Sequence, residues 1–327
     1  MSKLPVLAAG AVAVLAFGSV PQDPIDIEEW QVPWAQSRPR DPSVGPDGRV
    51  WFVGQVAHYV AAFDPASETF KRYDLDEGTG PHNLIVADDG TVWYAGNRAQ
   101  HIGRLDPATG AIRKVPTPDP VRDPHTLVFN GRGDIWFTAQ TSNYVGRLTL
   151  ATEAVRVVAV PAPRARPYGI WLTAGGTPWV ALFGTNKLAT VDPLTMTLSE
   201  VALPQPDARP RRLVITPDQM VWYGDYARGY LGRYDPASGA FAEWQLPGGP
   251  SSLPYAMTLD DRGRIWIVET GVRPNRFVGF DPATETFLGI TPIGSGAGSV
   301  RHMVFDRRTR AIWFGTDANT IGRARIP

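Results

Sequence analysis

The chain has 327 residues, 43% hydrophobic and 20% charged, a globular composition rather than a disordered or fibrous one. Its 32 Lys and Arg balance 32 Asp and Glu and no run of five like charges occurs, so nucleic acid is not an expected partner. Cysteine is absent, which removes disulfides, thiol catalysis and thiolate metal sites.

Residues 1–18 read as an export signal. "MSK" is a short basic start, "LPVLAAGAVAVLAF" is an apolar run, and Ala16-Phe17-Gly18 offers small residues for cleavage. The run is short for a membrane span, so a signal is favoured over an anchor or a buried strand. The expected product is one domain over residues 19–327, exported to the periplasm or beyond, monomeric and without stable membrane insertion.

A repeat organises the remainder. Trp51, Trp93, Trp136, Trp179, Trp222, Trp266 and Trp313 form a ladder at spacings of 42, 43, 43, 43, 44 and 47. Each follows a turn, as in "PDGRVWF" and "DRGRIWI". Most units then show a strand like "IGRLDP", a "DPATG" turn and a short strand that ends near Pro. Four strands in about 43 residues, seven times over, predicts an all-β, seven-bladed β-propeller. The seventh unit stops at "IGRARIP", one strand short. The N-terminal "IDIEEWQVP" resembles "FAEWQLP", so residues 25–33 are expected to close the ring and cover its edges. Asp64, Asp106, Asp192, Asp235 and Asp281 lack the ligand alternation of a calcium loop and read as turn caps. His58 and His101 are expected at the surface.

Candidate site residues come from counting along each repeat. Eleven residues before each Trp, where the inner strand starts, lie Arg40, His82, His125, Tyr168, Arg211, Tyr255 and His302. Three or four residues after it lie Gln55, Asn97, Gln140, Phe183, Asp225, Glu269 and Asp317. Both sets are expected at one channel mouth. Asp225, Glu269 and Asp317 with His302 and Tyr255 would suit a hard divalent cation beside a general base. His82 and His125, with Arg40, would form a second group able to serve as base, acid or ligand. The plain alternative is a polar lining that only holds water.

The segments "ARPYGIWL", "DGTVWYAGN" and "NTIGRARIP", joined by Pro-ended strands, resemble the streptogramin lyase (virginiamycin B lyase) family over essentially the whole chain after the leader. The resemblance implies a seven-bladed propeller that linearises cyclic depsipeptides. A base removes a proton α to an ester carbonyl, Mg²⁺ stabilises the enolate-like charge and the ester oxygen leaves. It further implies functional residues on the last two blades. A histidine after Pro on the sixth blade corresponds to Tyr255 in "LPYAM". A Glu-Pro-His run on the seventh is set against Val300 to His302, and a glutamate after the seventh Trp-Phe against Asp317. Valine cannot ligate a metal, and tyrosine is a poor base near neutrality unless its pKa is lowered. Glu269 is the nearest substitute for the missing glutamate. Three functions stay open: a metal-dependent lyase on an ester or lactone, a propeller binding a small molecule or a protein, and a gluconolactonase-like hydrolase with Glu269 and Asp317 on its metal.

Overall fold

Each tryptophan unit folds as a four-stranded antiparallel sheet, and seven such sheets make a propeller. The computed structural model describes residues 25–327, so the candidate leader lies outside the described residues. The first blade shows the common plan: β2 (Pro39–Val44), β3 (Val50–Gly54), β4 (Tyr59–Asp64) and β5 (Thr69–Asp74), each paired with the next. The inner strands of the next five blades are β6 (Pro81–Val86), β10 (Pro124–Phe129), β14 (Pro167–Leu172), β18 (Pro210–Ile215) and β22 (Pro254–Leu259). Among the described residues the only helical segment is one turn at Gly249–Ser251, and no helix is long and apolar enough to cross a membrane.

The seventh blade closes as the repeat predicts. Its own strands are β26 (Val300–Asp306), β27 (Ala311–Thr316) and β28 (Thr320–Arg325), and β1 (Asp26–Gln31) pairs antiparallel with β28 as the outer strand. Side chains lock the seam. Trp30 packs on Phe63 and Trp313, and the Asn319 side chain bonds the backbone of Ser37, Val32 and Trp34. An open edge thereby becomes a paired one.

The motif residues have packing roles. All seven ladder tryptophans are buried between blades. The arginine of "IGR" lies over the ladder ring of its own blade, as Arg104 does over Trp93 and Arg323 over Trp313. The glycine of the same motif stands opposite the aromatic that follows the ladder tryptophan. A Cβ at Gly103 would fall 2.0 Å from the Tyr94 ring, and one at Gly322 2.2 Å from that of Phe314. The "DP" aspartates cap their own turns, for example Asp64 accepting from the Ala66 N–H at 2.9 Å and Asp281 from that of Ala283 at 2.9 Å. The histidine expectation holds only in part. His58 is half-buried and accepts from the Gly80 N–H at 3.0 Å. His101 is buried edge-on against Tyr94, its ring lying over Gly96, where a Cβ would fall 2.5 Å away, and its Nδ1 meeting the Ala99 carbonyl at 3.1 Å.

Candidate functional site

Six inner strands open with proline, and the next residue is the ring position at the channel mouth: Arg40, His82, His125, Tyr168, Arg211 and Tyr255. Directly after it every inner strand breaks register with its neighbour. Such a bulge lets two successive residues line the channel. Cross-channel contacts identify both layers. Tyr168 on the fourth blade meets Tyr255 on the sixth, hydroxyl to hydroxyl. One layer down, Arg212 on the fifth blade reaches Asp41 on the first at 3.4 Å and Thr126 on the third at 3.2 Å.

The seventh blade departs from the count made along the sequence. Met303 pairs with Phe314 just as Leu84 pairs with Tyr94 and Met257 with Ile267, so the ring residue, two places earlier, is Arg301 and not His302. The turn before Trp313 holds one extra residue, and counting back from the tryptophan slips by one. His302 belongs to the second layer with Asp41, Asn83, Thr126 and Arg212. A Glu-Pro-His run entered through the strand-opening residue therefore falls on Ser299, Val300 and Arg301.

The residues after the tryptophans also divide. Strand neighbours point to opposite faces. Three residues after the ladder tryptophan stand Asp225 and Glu269, both buried and turned to loop backbone rather than to the mouth. Asp225 accepts from Arg209 N–H at 2.9 Å and pairs with Arg228 at 3.1 Å. Glu269 accepts from Gly248 N–H at 2.7 Å, Ser252 hydroxyl at 2.9 Å and Arg276 at 2.5 Å. Four residues after it the side chains reach the ring. Gln55 accepts from Arg40 at 3.1 Å, Asp317 from Arg301 at 2.5 Å, and Phe183 and Tyr226 pack on Arg211. Asn97 instead bonds the Pro124 carbonyl at 3.0 Å, bracing the third blade.

Cations and rings dominate what assembles. Arg40 is buried against Asp41 at 2.9 Å; burial opposes its charge, but Asp41 together with the Tyr255 and Tyr168 phenols outweighs burial and raises its pKa. Burial likewise opposes the Asp41 carboxylate, yet Arg40 and Arg212 hold it well below the usual range. His82 and His125 stack with ring centroids 3.6 Å apart and are kept neutral, first by burial and then by the guanidiniums. His302 falls to about 3 by burial and by Arg212. Tyr168 is pushed up by burial and by its partner Tyr255. Tyr255 goes the other way. Burial opposes its ionisation, but Arg211, Arg40, Arg212 and Arg301 together bring the phenol down to about 8.

A divalent cation does not fit these donors. Among the described residues no three His, Cys, Asp or Glu side chains converge on a point that holds a metal. The mouth's own carboxylates, Asp41 and Asp317, are each bound by arginine. Of the two carboxylates a hydrolase metal would need, Glu269 is engaged by Gly248, Ser252 and Arg276, and Asp317 by Arg301. Sequence reasoning missed Arg301, Arg212, Asp41 and Tyr226. The seventh inner strand opens with Val300 instead of proline, so no such signal marked Arg301, while Asp41 and Arg212 each stand two residues after a strand-opening proline.

Known structures share this architecture. Virginiamycin B lyase from Staphylococcus aureus superposes with a TM-score of 0.83 at 23% identity, over 93% of this chain and 100% of that one. A catalytically inactive form of that enzyme, solved with quinupristin, superposes equally, with TM-score 0.83 and 23% identity over 93% and 100% of the two chains. Hydrazine synthase from Kuenenia stuttgartiensis gives 0.75 at 13% identity over 90% of this chain and 97% of that one. At such identities the likeness is one of fold. Among curated proteins none matches. The family model described as the virginiamycin B lyase family matches residues 25–324, and the chain belongs to that family.

Proposed function

We propose that this protein is a ligand-binding propeller that uses the channel mouth between its fourth and seventh blades, without the metal-assisted elimination its family name implies. The observation that carries this reading is Arg301, a guanidinium at the ring position on the blade where the resemblance implies a base. Mg²⁺ requires anionic oxygen donors, whereas Arg40, Arg211 and Arg301 present positive charge to the same space. Calorimetric titration with Mg²⁺ and chromatography of quinupristin incubated with the protein test it. Neither metal binding nor linearisation is expected; linearisation abolished by a chelator would overturn the proposal. The leader read in residues 1–18 supports a site of action outside the cytoplasm.

A second reading has one observation in its favour. Arg211 sits 3.5 Å from the centroid of the Tyr255 ring, and the phenol ionises at about 8. Such a phenolate is a competent base near neutrality, with guanidiniums in place of a metal to hold developing negative charge. On this reading elimination of an α-acidic ester or lactone proceeds in excess chelator and stops in Tyr255→Phe.

A further inference from the structure

Four guanidiniums crowd the mouth, and three have a carboxylate. Arg40 and Arg212 share Asp41 at 2.9 and 3.4 Å, and Arg301 pairs with Asp317 at 2.5 Å. Arg211 has none among the described residues. Its neighbours are rings: Tyr255 at 3.5 Å, Tyr226 at 4.3 Å, Phe183 at 4.7 Å and Tyr168 at 5.0 Å from guanidinium carbon to centroid. Arg211 Nε is buried without a hydrogen-bond partner. The same holds in this lining for Arg40 Nη2, on a side chain 4% exposed, and for His125 Nε2, on a residue 1% exposed. A largely desolvated charge without a counter-ion is costly and is relieved by an anion.

We propose that Arg211 anchors a small monocarboxylate whose flat apolar body lies against Phe183 and Tyr226. The inference rests on the ligand-binding reading above and names its ligand class. Four rings surround the Arg211 guanidinium without offering it a counter-charge, and its parallel N–H donors match a planar carboxylate. The charge argument selects one negative charge. Arg301 and Arg40 are held by Asp317 and Asp41, so a phosphate dianion would find a single uncommitted cation. Phe183 and Tyr226 stand edge-to-face with centroids 5.6 Å apart, half-exposed at the ends of two second strands. They supply an apolar wall at the rim. The groups facing Tyr255 are the Tyr168 hydroxyl, Arg211, Arg212, Arg40, Arg301 and Tyr226. Above the titration of that phenol its anion competes for the same guanidinium, so carboxylate binding there takes up a proton.

Calorimetry on the purified protein tests this with three probes: benzoate, neutral benzamide and inorganic phosphate. Benzoate is expected to bind about tenfold or more tightly than either of the others, and to lose about tenfold in Arg211→Gln. Tyr226→Leu, which leaves all charges in place, is expected to weaken benzoate without creating a preference for phosphate. At alkaline pH, benzoate is expected to reduce tyrosinate absorbance in the wild type but not in Tyr255→Phe. Benzamide binding as well as benzoate, or phosphate binding more tightly, overturns the monocarboxylate while leaving a ligand site at the mouth. Binding of none of the three overturns this inference and removes the support for the reading beneath it.

Discussion

The two sides of the channel mouth use one repeat position differently. Across the first three blades Arg40, His82 and His125 are backed in the second layer by Asp41, Asn83 and Thr126. Asn83 donates to Asp41 at 3.1 Å and accepts from the Leu127 N–H at 2.8 Å, and His125 meets Thr126 at 2.8 Å. Across the last four blades Tyr168, Arg211, Tyr255 and Arg301 are backed by Gly169, Arg212, Ala256 and His302, which supply no negative charge. The first side is largely closed on itself. The second keeps an excess of positive charge among aromatic rings. What separates a structural half-ring from a candidate site is therefore the residue next in sequence, which either provides a counter-charge or does not.

The largest expected effect breaks the closed side. Among the described residues Asp41 is the only carboxylate paired with Arg40 and Arg212, and it is fully buried, so Asp41→Ala strands two guanidiniums. We expect a loss of about 3–5 kcal/mol in urea unfolding. Asp317 on the open side is part-exposed at the rim, and Asp317→Ala should cost about 1 kcal/mol or less. Equal losses from the two substitutions would erase the distinction between the two sides.

A smaller effect is set by pH. His82, His125 and His302 have folded pKa values below the unfolded 6.5, with His302 at about 3. The unfolded chain binds these protons first, so this stability is complete above 6.5 and declines as pH falls toward 3. Thermal melts of His82→Asn/His125→Asn should show a shallower acid limb than the wild type. A limb of unchanged steepness would show that the stacked pair does not titrate on unfolding.

The fold was legible because packing imposes a period. A tryptophan between blades and an arginine over it recur wherever a blade must meet its neighbour, so Trp51 to Trp313 reveal seven blades and "IDIEEWQVP" reveals the closing strand. The site was legible only in outline. Six of seven ring residues follow from counting back from tryptophan, but one added turn residue moved the seventh from Arg301 to His302. Alternation was lost in the same way: Asp225 and Glu269 sit one residue short of the outward position that Asp317 and Tyr226 occupy. A carboxylate's chemistry is visible in sequence; whether it faces a channel or caps a loop depends on a single step along a strand.

A small expected effect on stability is the sharpest on the open side. Tyr255 has a folded pKa of about 8 against an ordinary 10.0. A depressed acid contributes stability fully only above its unfolded pKa and loses that contribution as pH falls through about 8. At neutral pH the phenol is still mostly protonated, so Tyr255→Phe should cost there only its hydrogen bond to the Tyr168 hydroxyl, about 1 kcal/mol. In a spectrophotometric titration of the folded protein it should instead remove a one-tyrosine phase near pH 8. The paired substitution Tyr168→Phe takes away the hydroxyl that Tyr255 meets but leaves the four guanidiniums in place. The early phase should then persist, because cations and not the tyrosine partner hold the phenol down. Loss of that phase in Tyr168→Phe would reassign the ionisation to the hydrogen-bonded pair. The open side would then be a proton-sharing dyad that only happens to lie among arginines.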